Sequence, residues 1–418
     1  MDKFQIYGGA RLDGEIDVYS AKNSVLALLA ASILTDEQVI LTDCPKIGDV
    51  YNMIKILEAL GSKVVWQENS IIIDSSGAYS HEIPQSYGKE IRSSIFMLGS
   101  ILARFKKAKA VFPGGCDIGL RPIDLHIKGL RELNIDVKEM GANILCDAKN
   151  ARGKKIHLDF PSVGATENIM LASVLINGRT VICNAAKEPE IVCLQDMLNK
   201  MGAKVYGAGT GTIEIEGVKK LHGVEFKPIP DRIVAGTYLI AAAMTKGKVY
   251  IKNCRPNDLT SLISKLNGVS CDILANDDTI LVKGYEKPQS VMMIETSPYP
   301  GFPTDLQAQT LALQTISHGT SLIVENIFET RYKHVGELIK MGAEIVVKDR
   351  YAIVRGVEKL YGTQVFAHDL RGGAALVLAG LAAEGTTTVE DIHHVDRGYY
   401  KLEEDLTSLG ASVKRIKS

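Results

Sequence analysis

Small apolar residues run in helical blocks along this chain. Each block gives way, across a polar or glycine turn, to a β-branched segment. The pattern recurs as LALLAASILTDEQVILTD, IFMLGSILARFKKAKAVFPGG, ENIMLASVLINGRTVICNA, GTYLIAAAMTKGKVYIKN, LQAQTLALQTISHGTSLIVEN and AALVLAGLAAEGTTTVED. The strand ends fall near Asp43, Gly114, Asn184, Asn253, Asn326 and Asp391, so a unit of about 70 residues is repeated six times. A second helix follows each copy. Four of these end in a glycine stop, EALGSKV, LNKMGAKV, LIKMGAEI and LTSLGASV, and RELNIDVKEM and SKLNGVSCDI are degraded versions. A short strand such as IEIEG, ILVKG or AIVRG closes the unit. Each unit is expected to read strand, helix, strand, helix, strand, with Ala-rich helices packed closely on Val/Ile-rich sheets in an α/β fold.

The sixth unit stops at Lys414-Arg415-Ile416 without its closing strands. FQIYGG at the other end of the chain resembles a closing strand, and EIDVYSAKN resembles an opening one. The first 20 or so residues are therefore expected to return and complete the last unit. The units then divide three and three near VEFKPIPDR, where Pro228 and Pro230 mark a non-helical crossing. This predicts one domain over 22–229 and a second from 1–21 plus 230–418, with a cleft between them and two thin connections that permit hinge closure.

Composition fits that picture. The chain has 418 residues, 46% hydrophobic and 23% charged, the balance of a globular protein with a large core. A net charge of −1 gives no global field for nucleic acid or an anionic membrane. The seven cysteines, 44, 116, 146, 183, 193, 254 and 271, lack CxxC spacing and read as neither a disulfide framework nor a zinc site. All but Cys116 fall in or beside apolar segments and read as small core residues. A reducing cytoplasm suits them. MDKFQIYGG has no apolar signal segment, and no uncharged apolar run approaches the roughly 18 residues of a membrane span.

Charge changes the picture at the junctions between strands and helices, where α/β layers usually bind ligands. The first junctions carry Lys22 and Asn23; Arg92; Ser162, Val163 and Gly164; Asp231 and Arg232; Asp305; and Asp369 with Arg371. The second carry Lys46; Cys116 and Arg121; Lys187 with Glu188 and Glu190; Arg255 with Asp258; Arg331; and Asp396 with Arg397. Cations gathered beside helix N-termini predict an anionic substrate with more than one phosphate or carboxylate. Taken singly, each cation reads as solvated surface, and Asp231, Asp305 and Asp369 each read as an N-cap. His126, His334, His393 and His394 show no metal-ligand spacing.

PGGCDIGLRP, SAKNS, PSVGAT, NAAKEPEI, FPTDLQAQ and HHVDRGY resemble the UDP-N-acetylglucosamine 1-carboxyvinyltransferase (MurA) family of enolpyruvyl transferases, from Met1 to about Ile416. The resemblance implies two inside-out α/β barrel-like domains of three units each. It implies transfer of the enolpyruvyl group of phosphoenolpyruvate to the 3′-hydroxyl of UDP-N-acetylglucosamine, with release of phosphate, and no metal or organic cofactor. By the same resemblance, Lys22, Asn23, Arg121, Arg331, Arg371 and Arg397 would meet phosphoenolpyruvate. Asn23, Arg92, Arg121, Pro122, Ile123, Asp124, Leu125, Ser162, Val163, Gly164, Asp305 and Ile327 would contact the sugar nucleotide. Asp305 would be the base and Cys116 the general acid that fosfomycin alkylates.

The chemistry suits such a set. Addition to phosphoenolpyruvate needs a proton donor, a base on the attacking hydroxyl and fixed positive charge on the phosphate. The glycines of PGGC would let the loop close over substrate. The chain departs from the family at Ser20, Asp117 and Leu120, and Asp117 beside Cys116 disfavours a thiolate. Gly372 and Gly373 weaken the helix start after Arg371. The alternatives are 5-enolpyruvylshikimate-3-phosphate synthase, which does not rely on a PGGC cysteine, and a catalytically silent UDP-sugar-binding paralogue.

Overall fold

A computed structural model of the chain describes residues 2–88, 92–114, 119 and 122–417. These divide into two compact units. Among the described residues, one comprises 20–114 and 122–229; the other joins the residues before Ser20, Gly119 and those from Pro230 onward.

The first helix of each repeat is apolar all round, which demands burial on every side. Lys22–Ser32 buries ten of its eleven residues. In the Ser20–Ile229 unit this helix packs with Phe96–Phe105 and Val163–Ser173. In the other unit Arg232–Met244, Gln307–Gln314 and Leu370–Ala382 do the same. The strands alternate buried and exposed positions, as in Thr212–Glu216 and Ser412–Ile416, so their sheets cover the helices on one face only. Helices inside and sheets outside is the arrangement the family resemblance implies.

Among the described residues there are six sheets, five of four strands and one of three. A representative order is Lys204–Tyr206, Thr212–Glu216, Arg179–Cys183, Lys155–His157. The opening strand pairs parallel to the second strand, and the second strand pairs antiparallel to a closing hairpin. Each repeat thus closes with two strands rather than the expected one. The extra strand starts right after the glycine stop, where alternation is too short to stand out from the turn. Gly61, Gly202, Gly342 and Gly410, the four glycine stops, take φ values of 102°, 95°, 95° and 94°. In the degraded copies Asn134 and Gly268 take φ of 63° and 74° in their place. The expected strand ends Asp43, Asn184, Asn253 and Asp391 also lie at positive φ, where Asn and Asp are the side chains best tolerated. Five of the six cysteines expected in the core are buried; Cys183 is half-buried because alternation along Arg179–Cys183 puts it on the face opposite the buried Thr180 and Ile182.

The chain start does return. Strand Lys3–Tyr7 pairs antiparallel with both Thr386–Glu390 and Ser412–Ile416, completing the sixth sheet. The opening strands hold a surprise. Asp13–Asp17, expected to open the first repeat, pairs parallel with Lys248–Lys252 of the fourth. Val224–Phe226 pairs parallel with Val39–Leu41 of the first. The two opening strands are exchanged, and patterns only five and three residues long could not reveal it. At the connections, the Ala21 N–H donates to the Ile229 carbonyl in one unit, and the Asp231 N–H donates to the Tyr19 carbonyl in the other.

Ile6 is fully buried in the completed sheet, between Thr387 and Val413. Ile6→Ala is expected to lower unfolding free energy by about 2–5 kcal/mol, read from urea denaturation. A loss under about 0.5 kcal/mol, the size of an ordinary surface effect, would mean that the strand contributes nothing to the fold.

Candidate active site

The first junctions all lie at helix starts. Lys22 is the first residue of Lys22–Ser32 and Arg92 the first of the 3-10 turn Arg92–Ile95. Ser162 caps Val163–Ser173, accepting from the Ala165 N–H at 3.3 Å. Asp231 and Asp369 cap their helices, Asp231 taking the Ile233 and Val234 N–H groups and Asp369 those of Arg371 and Gly372. For these two acids the plain capping expectation was right.

Asp305 is different. It stands in the 3-10 turn Thr304–Leu306, and its carboxylate turns away from the helix start. Oδ1 accepts from an Arg331 guanidinium nitrogen at 2.8 Å and Oδ2 from one of Arg371 at 3.0 Å. The arginine side chains are only 2% and 4% exposed. Each keeps one buried nitrogen without a hydrogen-bond partner, Nε of Arg331 and one terminal nitrogen of Arg371. Buried orphan donors are costly, and a bound anion would satisfy them. Burial works against the charge on Arg371, yet Asp305, with Tyr399 and Asp231, outweighs it and holds this guanidinium more basic than usual.

Two acids that the sequence reading missed hold junction residues, one in each unit. Glu325 is fully buried. It accepts from the Thr296 hydroxyl at 3.0 Å, the Ile327 and Phe328 N–H groups at 2.9 and 3.1 Å, and the Thr304 hydroxyl at 2.9 Å. It therefore ties the loop of Ile327 to the residue preceding Asp305. Asp49, in the first turn of Gly48–Ala59, pairs with Lys22 Nζ at 2.8 Å, and both side chains are nearly buried. An acid at a helix start reads as a dipole partner, so nothing in the sequence singled it out.

Arg397 ends the 3-10 segment Ile392–Arg397. Its neighbour Asp396 is gripped by both terminal nitrogens of Arg415, at 2.9 and 2.7 Å. Arg415 lies on Ser412–Ile416 and stacks over Phe4 at 4.9 Å, so the returning first strand steadies the segment that carries Arg397. Gly372 and Gly373 have a steric reason. A Cβ on Gly372 would come within 2.8 Å of Asp369 Oδ2, and one on Gly373 within 2.7 Å of Val395.

Arg92 donates to the Pro122 carbonyl at 3.0 Å. It lines a groove of about 540 Å³ with Phe112, Pro122, Ile123, Asp124 and Lys128. Ile123 is buried, Asp124 exposed, and Leu125, Asn23, Ser162, Val163 and Gly164 half-buried. Cys116 and Arg121 lie outside the described residues. The structure thus brings Asp305, Arg331 and Arg371 together and gives Lys22 an acid partner. Among the described residues no group of His, Cys, Asp and Glu gathers as a metal site, and no helix is long and apolar enough to cross a membrane.

His334 sits beside this cluster, wholly buried, with neither ring nitrogen hydrogen-bonded. Burial pushes its imidazole down to about 4; Arg331 and His368 push the same way, and Asp369 opposes them. The folded state therefore keeps His334 neutral, while the unfolded chain takes up a proton near pH 6.5. Stability contributed by the neutral ring is complete above about pH 6.5 and is lost as pH falls toward 4, on the order of 3 kcal/mol in all. His334→Gln is expected to flatten the stability profile in that window, measured by thermal unfolding from pH 7 to 4. An unchanged profile would mean that His334 does not set the acid limit.

A sequence profile of EPSP synthase (3-phosphoshikimate 1-carboxyvinyltransferase) matches residues 6–406. The chain is 53% identical to UDP-N-acetylglucosamine 1-carboxyvinyltransferase 2 of Caldanaerobacter subterraneus subsp. tengcongensis, over the full length of both chains. It is 46% identical to UDP-N-acetylglucosamine 1-carboxyvinyltransferase of Finegoldia magna, covering 100% of this chain and 99% of the relative. Among solved structures, the enolpyruvyl transferase NikO from Streptomyces tendae superposes with a TM-score of 0.88 at 23% identity, covering 100% of this chain and 99% of NikO. EPSP synthase from Acinetobacter baumannii gives 0.75 at 16% identity, with full coverage of both. These two likenesses establish the fold. With the fold, the profile and the full-length relatives in agreement, the chain belongs to the EPSP synthase family of enolpyruvyl transferases, among its UDP-N-acetylglucosamine 1-carboxyvinyltransferases.

Proposed function

We propose that this chain transfers the enolpyruvyl group of phosphoenolpyruvate to the 3′-hydroxyl of UDP-N-acetylglucosamine and releases phosphate, in peptidoglycan synthesis. The observation that carries the chemistry is Asp305 held between two buried arginines that each keep an unpartnered nitrogen. The full-length relatives bearing this enzyme's name support the choice of acceptor.

In this reading the reaction is addition followed by elimination. Asp305 accepts the proton of the attacking hydroxyl, which then bonds to C2 of phosphoenolpyruvate. Cys116 delivers a proton to the methylene carbon, giving a tetrahedral phospho-ketal. Loss of a proton from the methyl group and departure of phosphate regenerate the double bond. Lys22, Asn23, Arg121, Arg331, Arg371 and Arg397 hold the carboxylate and phosphate through both steps. Asn23, Arg92, Arg121, Pro122, Ile123, Asp124, Leu125, Ser162, Val163, Gly164, Asp305 and Ile327 seat the sugar nucleotide. The enzyme works in the cytoplasm without cofactor, supplies a precursor on which cell shape and division depend, and is a fosfomycin target through Cys116.

The test is inorganic phosphate release from phosphoenolpyruvate with either UDP-N-acetylglucosamine or shikimate 3-phosphate. Release with the nucleotide sugar alone supports the reading. Release with shikimate 3-phosphate alone, or none with either, overturns it.

A further inference from the structure

The motifs FPTDLQAQ and HHVDRGY contain two residues that the reaction as described leaves without a role, Gln309 and Tyr399. Both are buried. The Tyr399 hydroxyl lies 2.9 Å from Thr237 Oγ1 and 3.0 Å from Gln309 Nε2. Thr237 donates its own proton to the Ile233 carbonyl at 2.8 Å, so the phenol must donate to Thr237. The phenol oxygen is then the acceptor for the amide. Gln309 Nε2 also donates to the backbone carbonyl of Asp305 at 3.0 Å. Across the ring, the Arg371 guanidinium stands over Tyr399 at 5.5 Å while it holds Asp305 Oδ2 at 3.0 Å.

These contacts close a circuit that starts and ends on one residue. From the Asp305 carboxylate it passes to Arg371, to the face of Tyr399, through the phenol to Gln309, and back to the Asp305 carbonyl. With the Tyr399 hydroxyl and Gln309 amide donors committed, such a buried network polarises its members and restricts them to one geometry. We infer that Tyr399 and Gln309 are positioning residues that fix the Arg371–Asp305 pair from behind, without touching substrate. The kinetic consequence rests on the functional reading above; the mechanical one does not. The hydroxyl of Tyr399 sets the depth at which the ring supports Arg371, and the amide of Gln309 fixes the backbone from which the carboxylate projects.

Two variants remove single elements. Tyr399→Phe deletes the hydroxyl and keeps the ring; Gln309→Met deletes the amide at nearly constant volume. The first readout needs no turnover. It is the rotation rate of the Arg371 guanidinium, from exchange of its terminal nitrogens by NMR, expected to rise about tenfold in either variant as the ring or backbone loosens. The second is steady-state kinetics, with kcat down about tenfold, KM for both substrates within about twofold, and a displaced pH profile of kcat. An unchanged rotation rate overturns the inference, whatever the enzyme does. Faster rotation with wild-type kcat and pH profile also overturns it, as does a kcat loss that only follows loss of folded protein. A wild-type enzyme that releases no phosphate overturns the functional reading, while the rotation rate still decides the circuit.

Discussion

Asp305→Ala is expected to lower kcat/KM by about 10³-fold or more, since it removes the proposed base outright. It should also destabilise the protein. The carboxylate holds two guanidiniums whose side chains are 2% and 4% exposed. Removing one partner of a buried ion pair costs about 3–5 kcal/mol, because the remaining charge keeps its desolvation penalty. Asp305→Asn separates the two effects. The amide keeps the shape and one acceptor, but it carries no charge and turns its NH2 toward the other guanidinium, so it should recover only part of the stability and none of the rate. Urea unfolding and phosphate release on the two variants make the comparison. If Asp305→Asn turns over like the wild type, Asp305 is a structural anchor for the arginines and another group takes the proton.

Lys22→Met is expected to reduce phosphate release by about 10³-fold, because under the proposed function Lys22 is a preorganised cation on the leaving phosphate, and such a charge is worth several kcal/mol. It also strips the nearly buried Asp49 of its ion-pair partner at 2.8 Å. The single variant should therefore lose stability by about 3 kcal/mol. Lys22→Met with Asp49→Leu removes both charges and should regain most of that stability while remaining inactive. Restored activity in the double variant would mean that Lys22 serves the fold alone.

Much of the fold was legible because it is periodic. Six apolar helices, four glycine stops and six strand ends repeat at similar spacing, and backbone conformation follows residue type at the stops Gly61, Gly202, Gly342 and Gly410. The returning strand was legible because FQIYGG supplied what the sixth unit lacked. The exchange of Asp13–Asp17 and Val224–Phe226 was not, since strands of five and three residues carry too little pattern to name their partners. The junction residues could be named, but their pairings could not. Arg331 and Arg371 are 26 and 66 residues from the acid that joins them. Asp305 also looked like Asp231 and Asp369 in sequence, but it stands inside its turn rather than at the cap, and its carboxylate goes to two arginines. Glu325 and Asp49 stayed hidden because a single acid at a strand end or helix start is ordinary.

The exchanged and returning strands bear on how the chain is made. During synthesis, the stretch from Ser20 to Ile229, all but a few residues of which belong to one unit, emerges with every described strand of its sheets. It can fold while the ribosome is still at work. The first nineteen residues cannot follow suit. Asp13–Asp17 must wait for Lys248–Lys252, and Lys3–Tyr7 must wait about 400 residues for Ser412–Ile416. Lys3–Tyr7 and Asp13–Asp17 are thus a pair of unmatched strand edges, tethered to a finished neighbour, until those partners emerge. Contacts that distant in sequence close slowly. These two strands leave the ribosome well before their partners and are among the last to find their places, and until then their edges are the surface that a chaperone would have to shield.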